Sequence, residues 1–186
     1  FLYKGLNDPR LDNDLKDAQK RAANFKKTYK GHLKKKLGAA IAAYADLSAR
    51  IDKIGVYLHL AHSTDVENQE INAKRAQVSL ALSQASGEHL VFFEHELVAL
   101  SDRDIRRQSK KDGFLAKHLP WIEQVRKFKP HLLSEPVEGA LAKRGPFGPD
   151  SWSDFYDEVE ADLRFSLDGK DLTLTEALHV MSEDAD

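Results

Sequence analysis

Leu33, Leu37, Ala40, Tyr44, Leu47, Ile51, Ile54, Leu58 and Ala61 follow one another in alternating steps of four and three without a break. That spacing puts all nine side chains on one face of an α-helix, whereas a strand would scatter them over two faces. A stripe sustained this long predicts a helix of roughly 30 residues, about 45 Å at 1.5 Å per residue. The rest of the chain must therefore supply partners for one long apolar seam.

The flanking segments carry the same period. Asp8-Pro9 reads as a helix start, with Asp8 as N-cap and Pro9 in the first turn, where a missing N–H costs nothing. Leu11, Leu15, Ala18, Ala22, Phe25 and Tyr29 then line one face, and Gly31 is the expected stop. Ser63-Thr64-Asp65 interrupts the long stripe. A third pattern starts near Glu67 and runs through Ile71, Val78, Leu82 and Ala85 to Leu90, Phe93, Leu97 and Leu100. Gly87 falls where that stripe shifts, which predicts a bend or a close helix contact. Ser101-Asp102 caps a short polar helix or turn around Ile105.

Beyond Gly113 the elements shorten. Phe114 to Phe128 is predicted as a helix broken or begun by Pro120, with Trp121, Ile122 and Val125 in the core. Lys129-Pro130-His131 ends it, because a proline disfavours helix at the residue before it. Ser134-Glu135-Pro136 opens another short helix. Gly145-Pro146-Phe147-Gly148-Pro149 reads as a loop, followed by a helix capped by Ser151 and bearing Trp152, Phe155 and Val159. Leu163, Phe165 and Leu167 alternate with polar residues, as do Leu172 and Leu174, with Asp168-Gly169 between them. This predicts a β-hairpin over about 163–174, and Thr173-Leu174-Thr175-Glu176 is a capping box for a last helix, Ala177 to Ser182. A lone hairpin is marginal in water, so it must lie on these helices or on a part of the protein outside the chain. The expected fold is all-α: long antiparallel helices over 1–112, then short helices and the hairpin over 113–186, as one domain.

Composition narrows the function. With 186 residues, 41% hydrophobic and 31% charged, the chain is globular rather than disordered. No apolar run approaches the roughly 20 residues of a bilayer-spanning helix, so no membrane partner is expected. The absence of cysteine excludes a disulfide scaffold and any thiolate zinc site, and fits a reducing, cytoplasmic setting. Phe1-Leu2-Tyr3 meets a charge at Lys4, unlike a signal peptide, and a chain beginning at Phe reads as a piece.

The net charge of −2 argues against a dedicated nucleic-acid binder, but it hides an asymmetry. Residues 1–53 carry 13 basic and 6 acidic side chains, and residues 146–186 carry 2 and 12. The densest basic run is Lys26, Lys27, Lys30, Lys34, Lys35 and Lys36. On a helix these spread around the axis as a solvated face, with no arginine among them.

Catalytic chemistry is sparse. Helical zinc peptidase sites need His-Glu-x-x-His, with two imidazoles one turn apart and the glutamate as base, and no such run occurs. His59 and His62, three apart with Asp65 nearby, could reach one ion, but two imidazoles filling and hydrogen-bonding within a helix seam is the preferred reading. Glu176-Ala-Leu-His179 has half of a dinuclear iron pattern without its second copy. Adjacent residues on a helix point 100° apart, so Glu94-His95-Glu96 cannot converge on one atom and reads as surface charge. Nucleophile elbows, P-loops and dinucleotide-binding glycine patterns are missing. The Gly145–Pro149 loop has too few N–H donors to cradle phosphate. Trp121, Phe147 and Trp152 are candidate recognition aromatics, though core positions are the expectation for each. No catalytic, cofactor-binding or metal-ligating residue is assigned.

From Pro130 onward there is a likeness. Pro130-His131-Leu132-Leu133-Ser134-Glu135, the helix around Trp152-Ser-Asp-Phe155-Tyr156-Asp157-Glu158, the hairpin Phe165-Ser-Leu-Asp-Gly169 and Leu172-Thr-Leu-Thr-Glu-Ala-Leu178 follow one another in the order of a known family. Leu2-Tyr3, Asp8-Pro9-Arg10-Leu11, the long helix, Phe92-Phe93-Glu94 and Glu96-Leu97 fit the same order. This succession resembles the amino-terminal domain of oligoendopeptidase F, of the thimet-oligopeptidase-like zinc metallopeptidases. Pro136 and the Gly145–Pro149 loop depart from it, which affects loop geometry rather than the likeness.

The resemblance implies a noncatalytic helical domain forming one wall of a groove for short peptides. The His-Glu-x-x-His and its zinc would belong to a catalytic domain absent from this chain. Zinc is expected there and no cofactor here, so this chain is not itself an enzyme. The expected partners are that carboxyl-terminal catalytic domain and short peptides, with dimerisation of the fragment through an exposed docking patch. Two other readings stand beside it: a free-standing helical interaction module using its heptad stripe, and a metal-binding bundle using His59, His62 or His179.

Overall fold

A computed structural model describes residues 2–183. Phe1, with which the signal-peptide reading begins, and Asp184 and Asp186 of the acidic tail lie outside the described residues. Three long helices come first: α1 (Pro9–Tyr29), α2 (Leu33–Thr64) and α3 (Gln69–His89). Four shorter ones follow: α4 (Val91–Ala99), α5 (Asp102–Ser109), α6 (Gly113–Lys117) and α7 (Leu119–Lys127). A 3-10 turn at Lys129–His131 leads to α8 (Glu135–Arg144), and another at Gly145–Phe147 to α9 (Pro149–Asp162). The chain closes with strands β1 (Arg164–Leu167) and β2 (Lys170–Thr173) and helix α10 (Leu174–Glu183). The architecture is the expected helical bundle with a small hairpin near the carboxyl end.

The core shows why the long helices run antiparallel. At one end Leu11 of α1 packs with Ile54 and Leu58 of α2 and Val78 of α3. Ala18 and Ala22 meet Leu47 midway, and at the far end Phe25 meets Leu33, Leu37, Phe92 and Phe93. Residue numbers in α1 rise as those in α2 fall. Short links, Lys30–His32 and Asp65–Asn68, permit no other arrangement of neighbours. The heptad stripe is consumed here: Leu33, Leu37, Ala40, Leu47, Ile54 and Leu58 are all buried. It is therefore not presented to a partner helix. Ile105, Leu115 and Ile122 close the Phe93 end of the same core.

Helix ends follow the sequence closely. The Asp8 side chain accepts the Arg10 N–H, Asn68 caps α3, and Ser101 caps α5. Gly31 sits at φ +75°, a conformation glycine adopts without the Cβ penalty, just after α1 ends. α2 is kinked at Lys36, where Gln108 of α5 inserts into the helix ladder. The Leu37 N–H donates to Gln108 Oε1 at 3.1 Å, and Gln108 Nε2 donates to the Lys34 carbonyl at 3.2 Å. A side chain entering the ladder is a recognised cause of kinks, and periodicity cannot foresee it.

Several expectations are corrected. The single pattern from Glu67 to Leu100 is two helices, divided at Leu90. Gly87 does make the close contact expected of it, against Gly139 of α8. The Gly145–Pro149 stretch is not an open loop: Pro146 and Pro149 each sit in a first turn, where fixed φ favours helix, and start the 3-10 turn and α9 respectively. Ser151 is not the cap of α9 but lies inside it, its hydroxyl donating to the Pro146 carbonyl. Phe147 and Trp152 are 68% and 72% exposed rather than core. Trp121 lies at the surface too, stacked over Phe93 with ring centroids 6.4 Å apart.

The hairpin expected over about 163–174 is present, with Phe165 opposite Leu172 and Leu167 opposite Lys170. Asp168 at φ +50° and Gly169 at φ +76° form the mirror-image turn. α10 packs along both strands.

Candidate functional site

The histidines test the metal readings directly. His59 is exposed on α2, while His62, three residues on, is buried against α3. His62 Nδ1 lies 2.9 Å from Asn72 Oδ1, so its ring is engaged within the helix seam. Asp65 instead accepts from Asn68 at the turn. On α10, Glu176 is used in its capping box, accepting the Thr173 N–H at 2.8 Å, and His179 faces Glu183 at 3.4 Å. Among the described residues no group of three or more His, Asp or Glu side chains is placed to hold a metal ion. These side chains do not fit a catalytic zinc.

Glu94-His95-Glu96 separates as helical geometry requires. Glu94 is exposed, and Glu96 turns to accept the Gly31 N–H at 2.6 Å, holding the turn after α1. His95 is half-buried with its Nε2 unpartnered.

Tertiary folding gathers groups that lie apart in the sequence. Lys34, Lys35 and Lys36 come together with Arg107 and Lys111 around an open cleft of about 470 Å³. The arginine missing from the lysine run is thus supplied by α5. Part of this charge is offset locally, since Lys34 and Arg107 share the carboxylate of Asp104, at 3.5 and 3.0 Å. Lys30 pairs with Glu135, and Lys26 donates to the Glu88 carbonyl at 2.6 Å. A second cleft, about 500 Å³, lies between α3 and the start of α9 and includes His62, Arg75, Phe147, Asp150 and Glu158. No motif in the sequence joins those residues; the signal was a proline-rich segment followed by an acidic helix.

The third feature is apolar. From α9 to α10 no residue is buried, although the segment is rich in large hydrophobic side chains. Trp152, Phe155 and Val159 recur at helical spacing on α9, exposed by 72%, 55% and 44%. Leu163 just before the hairpin, Leu167 on it, and Leu178 and Met181 on α10 are exposed. Monomeric surfaces seldom leave so many large apolar groups together in one segment.

These features define a class: a helical domain without a metal-ligand set among its described residues, carrying acidic and apolar surface toward its carboxyl end. Residues 96–165 match the family described as Oligopeptidase F. The chain is also 33% identical over 100 residues to the group B oligopeptidase PepB of Streptococcus agalactiae serotype III (strain NEM316). That likeness covers 52% of this chain and 16% of the relative, so the matched stretch spans about a sixth of that protein's length. No solved structure matches. The two comparisons support the resemblance to the amino-terminal domain of oligoendopeptidase F. No helix among the described residues is long and apolar enough to cross a membrane.

Proposed function

We propose that this chain is the noncatalytic amino-terminal domain of a zinc metalloendopeptidase acting on short peptides, and that it forms one wall of the substrate groove. The observation that carries the reading is the coincidence of the family match with an uncovered apolar surface. Residues 96–165 match Oligopeptidase F, and the exposed Trp152, Phe155 and Val159 lie within them. Burying such side chains is worth roughly 1.5–3 kcal/mol each, so leaving them in water favours a covering surface. The occupant proposed is the catalytic domain that would follow in the same protein. That domain would supply the Lewis-acidic zinc, its bound water and the carboxylate base. The amino-terminal domain would restrict access and hold the peptide, in a cytoplasmic enzyme. The rival reading, a free-standing interaction module, is weakened because the heptad stripe it would use is buried in the chain's own core.

Sequencing the reading frame beyond Asp186 tests the proposal. A His-Glu-x-x-His within the next few hundred codons is expected, and the protein encoded by the whole frame should cleave short peptides with zinc. A stop codon directly after Asp186 would overturn it and leave the likeness as ancestry.

A further inference from the structure

The cleft between α3 and the start of α9 holds a buried acceptor without a donor. His62 lines it and is only 7% exposed. Its Nδ1 faces Asn72 Oδ1 at 2.9 Å, and the orientation of that amide is set because Asn72 Nδ2 donates to the Val66 carbonyl at 2.9 Å. An oxygen facing the ring requires the proton on Nδ1, so the neutral imidazole carries its lone pair on Nε2. Nε2 is buried and has no partner among the described residues. An acceptor held away from water in this way is stabilised by any group that brings it an N–H or O–H.

The charged groups around the cleft are mostly acidic. Asp150, Asp154 and Glu158 project from α9 against one cation, Arg75, for a formal balance of −2. Arg75 is already engaged by Asp154 at 2.7 Å, and Asp150 and Glu158 form no ion pair among the described residues. Leu80, Pro146 and Phe147 add apolar wall. An anionic ligand would meet like charge here. A bare metal ion would find fewer than the three converging ligands it needs. What remains is a cation that brings several donors of its own and an apolar body.

We propose that this cleft binds a primary ammonium group carried on an apolar scaffold. Its N–H donors serve His62 Nε2 and a carboxylate of α9, Asp150 or Glu158, and its apolar part lies against Leu80 and Phe147. The amino terminus of a short peptide and a small free amine share this chemistry. The inference rests on the cleft alone and stands whether or not the chain belongs to a peptidase.

Long-range ¹H–¹⁵N spectra of the histidine-labelled chain provide the test, with phenethylamine, Phe-Gly-Gly and N-acetyl-Phe-Gly-Gly as probes. Without a probe, the nonprotonated ring nitrogen of His62 should be Nε2, the reverse of the usual tautomer in water. A saturable shift of that nitrogen is expected with the free-amine probes at millimolar concentration and not with the acetylated peptide. A response to phenethylamine and peptide alike assigns the ammonium alone as the ligand, and a response to the peptide only assigns a peptide amino terminus. D150N combined with E158Q should weaken binding about tenfold or more, since charge-assisted bonds are lost. Both side chains lie on the outer rim, so folding should survive, and circular dichroism checks it. A shift with the acetylated peptide equal to that with the free amine, no saturable shift with any probe, or a shift unchanged by D150N/E158Q would overturn the proposal.

Discussion

Gly55, Gly87 and Gly139 are all helical glycines, yet the same substitution has opposite expected effects among them. A Cβ on Gly87 would lie 2.6 Å from the Gly139 carbonyl oxygen and 2.8 Å from Lys143 Cγ. On Gly139 it would lie 2.8 Å from the Gly87 carbonyl oxygen. Both oxygens are backbone and cannot swing away, so α3 and α8 would have to separate. Gly87→Ala should therefore cost about 1–3 kcal/mol, seen as a lower thermal midpoint by circular dichroism. Gly55 has nothing within 4 Å of the same position. There alanine only reduces the freedom of the unfolded chain, and Gly55→Ala should stabilise by about 0.5–1 kcal/mol. Asp14 provides a different single-residue test. It accepts from Lys53 Nζ at 2.7 Å and from the Tyr3 hydroxyl at 2.8 Å. The Lys53 hydrogen bond, then that of Tyr3, holds its carboxyl below the ordinary carboxylate value. A depressed folded value contributes stability above the unfolded value of about 3.9, and that contribution is lost as pH falls through and below it. Asp14→Asn should therefore lower the thermal midpoint at about pH 6, and the difference from the parent chain should narrow as pH falls below about 4.

Among the elements, the carboxyl-terminal hairpin and α10 have the least support. None of their residues is buried, and α10 is the element packed along the strands. Their local order depends on the Asp168-Gly169 turn and on the reciprocal capping of Thr173 and Glu176. The Thr173 N–H and hydroxyl donate to Glu176 Oε2 at 2.8 and 2.9 Å, and the Glu176 N–H returns to Thr173 Oγ1 at 3.3 Å. Thr173→Ala should cost about 1 kcal/mol locally. Hydrogen exchange should show α10 amides opening roughly fivefold more often, while amides of α1 to α3 keep their protection, because local opening and global unfolding are separate events. Equal loss of protection in the long helices would show that α10 is coupled to the body.

Taken together, the chain has a well-buried end and an uncovered end. Phe93, fully buried among Phe25, Tyr44 and Leu97, belongs to the first, and Phe93→Ala should destabilise by about 3–5 kcal/mol. The segment from Trp152 to Met181 belongs to the second. Sedimentation of the isolated chain should reveal concentration-dependent association, which Phe155→Asp with Leu178→Asp should abolish. Those two side chains are already 55% and 54% exposed, so the thermal midpoint should hardly change. Monomeric behaviour of the parent chain at high concentration would count against a sticky apolar face.

Most of the fold was legible because its information is local. A 4-3 spacing from Leu33 to Ala61, a carboxylate before Pro9, Asp-Gly between alternating runs and Thr-x-x-Glu each act within one or two turns of chain, and each reappears as the element it predicts. Prolines were harder: Pro146 and Pro149 are compatible with a loop or with a first helical turn, and the spacing of apolar residues does not choose between them. What the chain could not announce along its length depends on separations of many residues. Gln108 enters the α2 ladder at Leu37 from 71 residues away, Arg107 joins the lysines of α2, and His62 meets an acidic helix that begins at Pro149. Periodicity reports which side of a helix is apolar. Which polar groups then face one another, and which buried acceptor is left without a donor, follows only from how the helices pack.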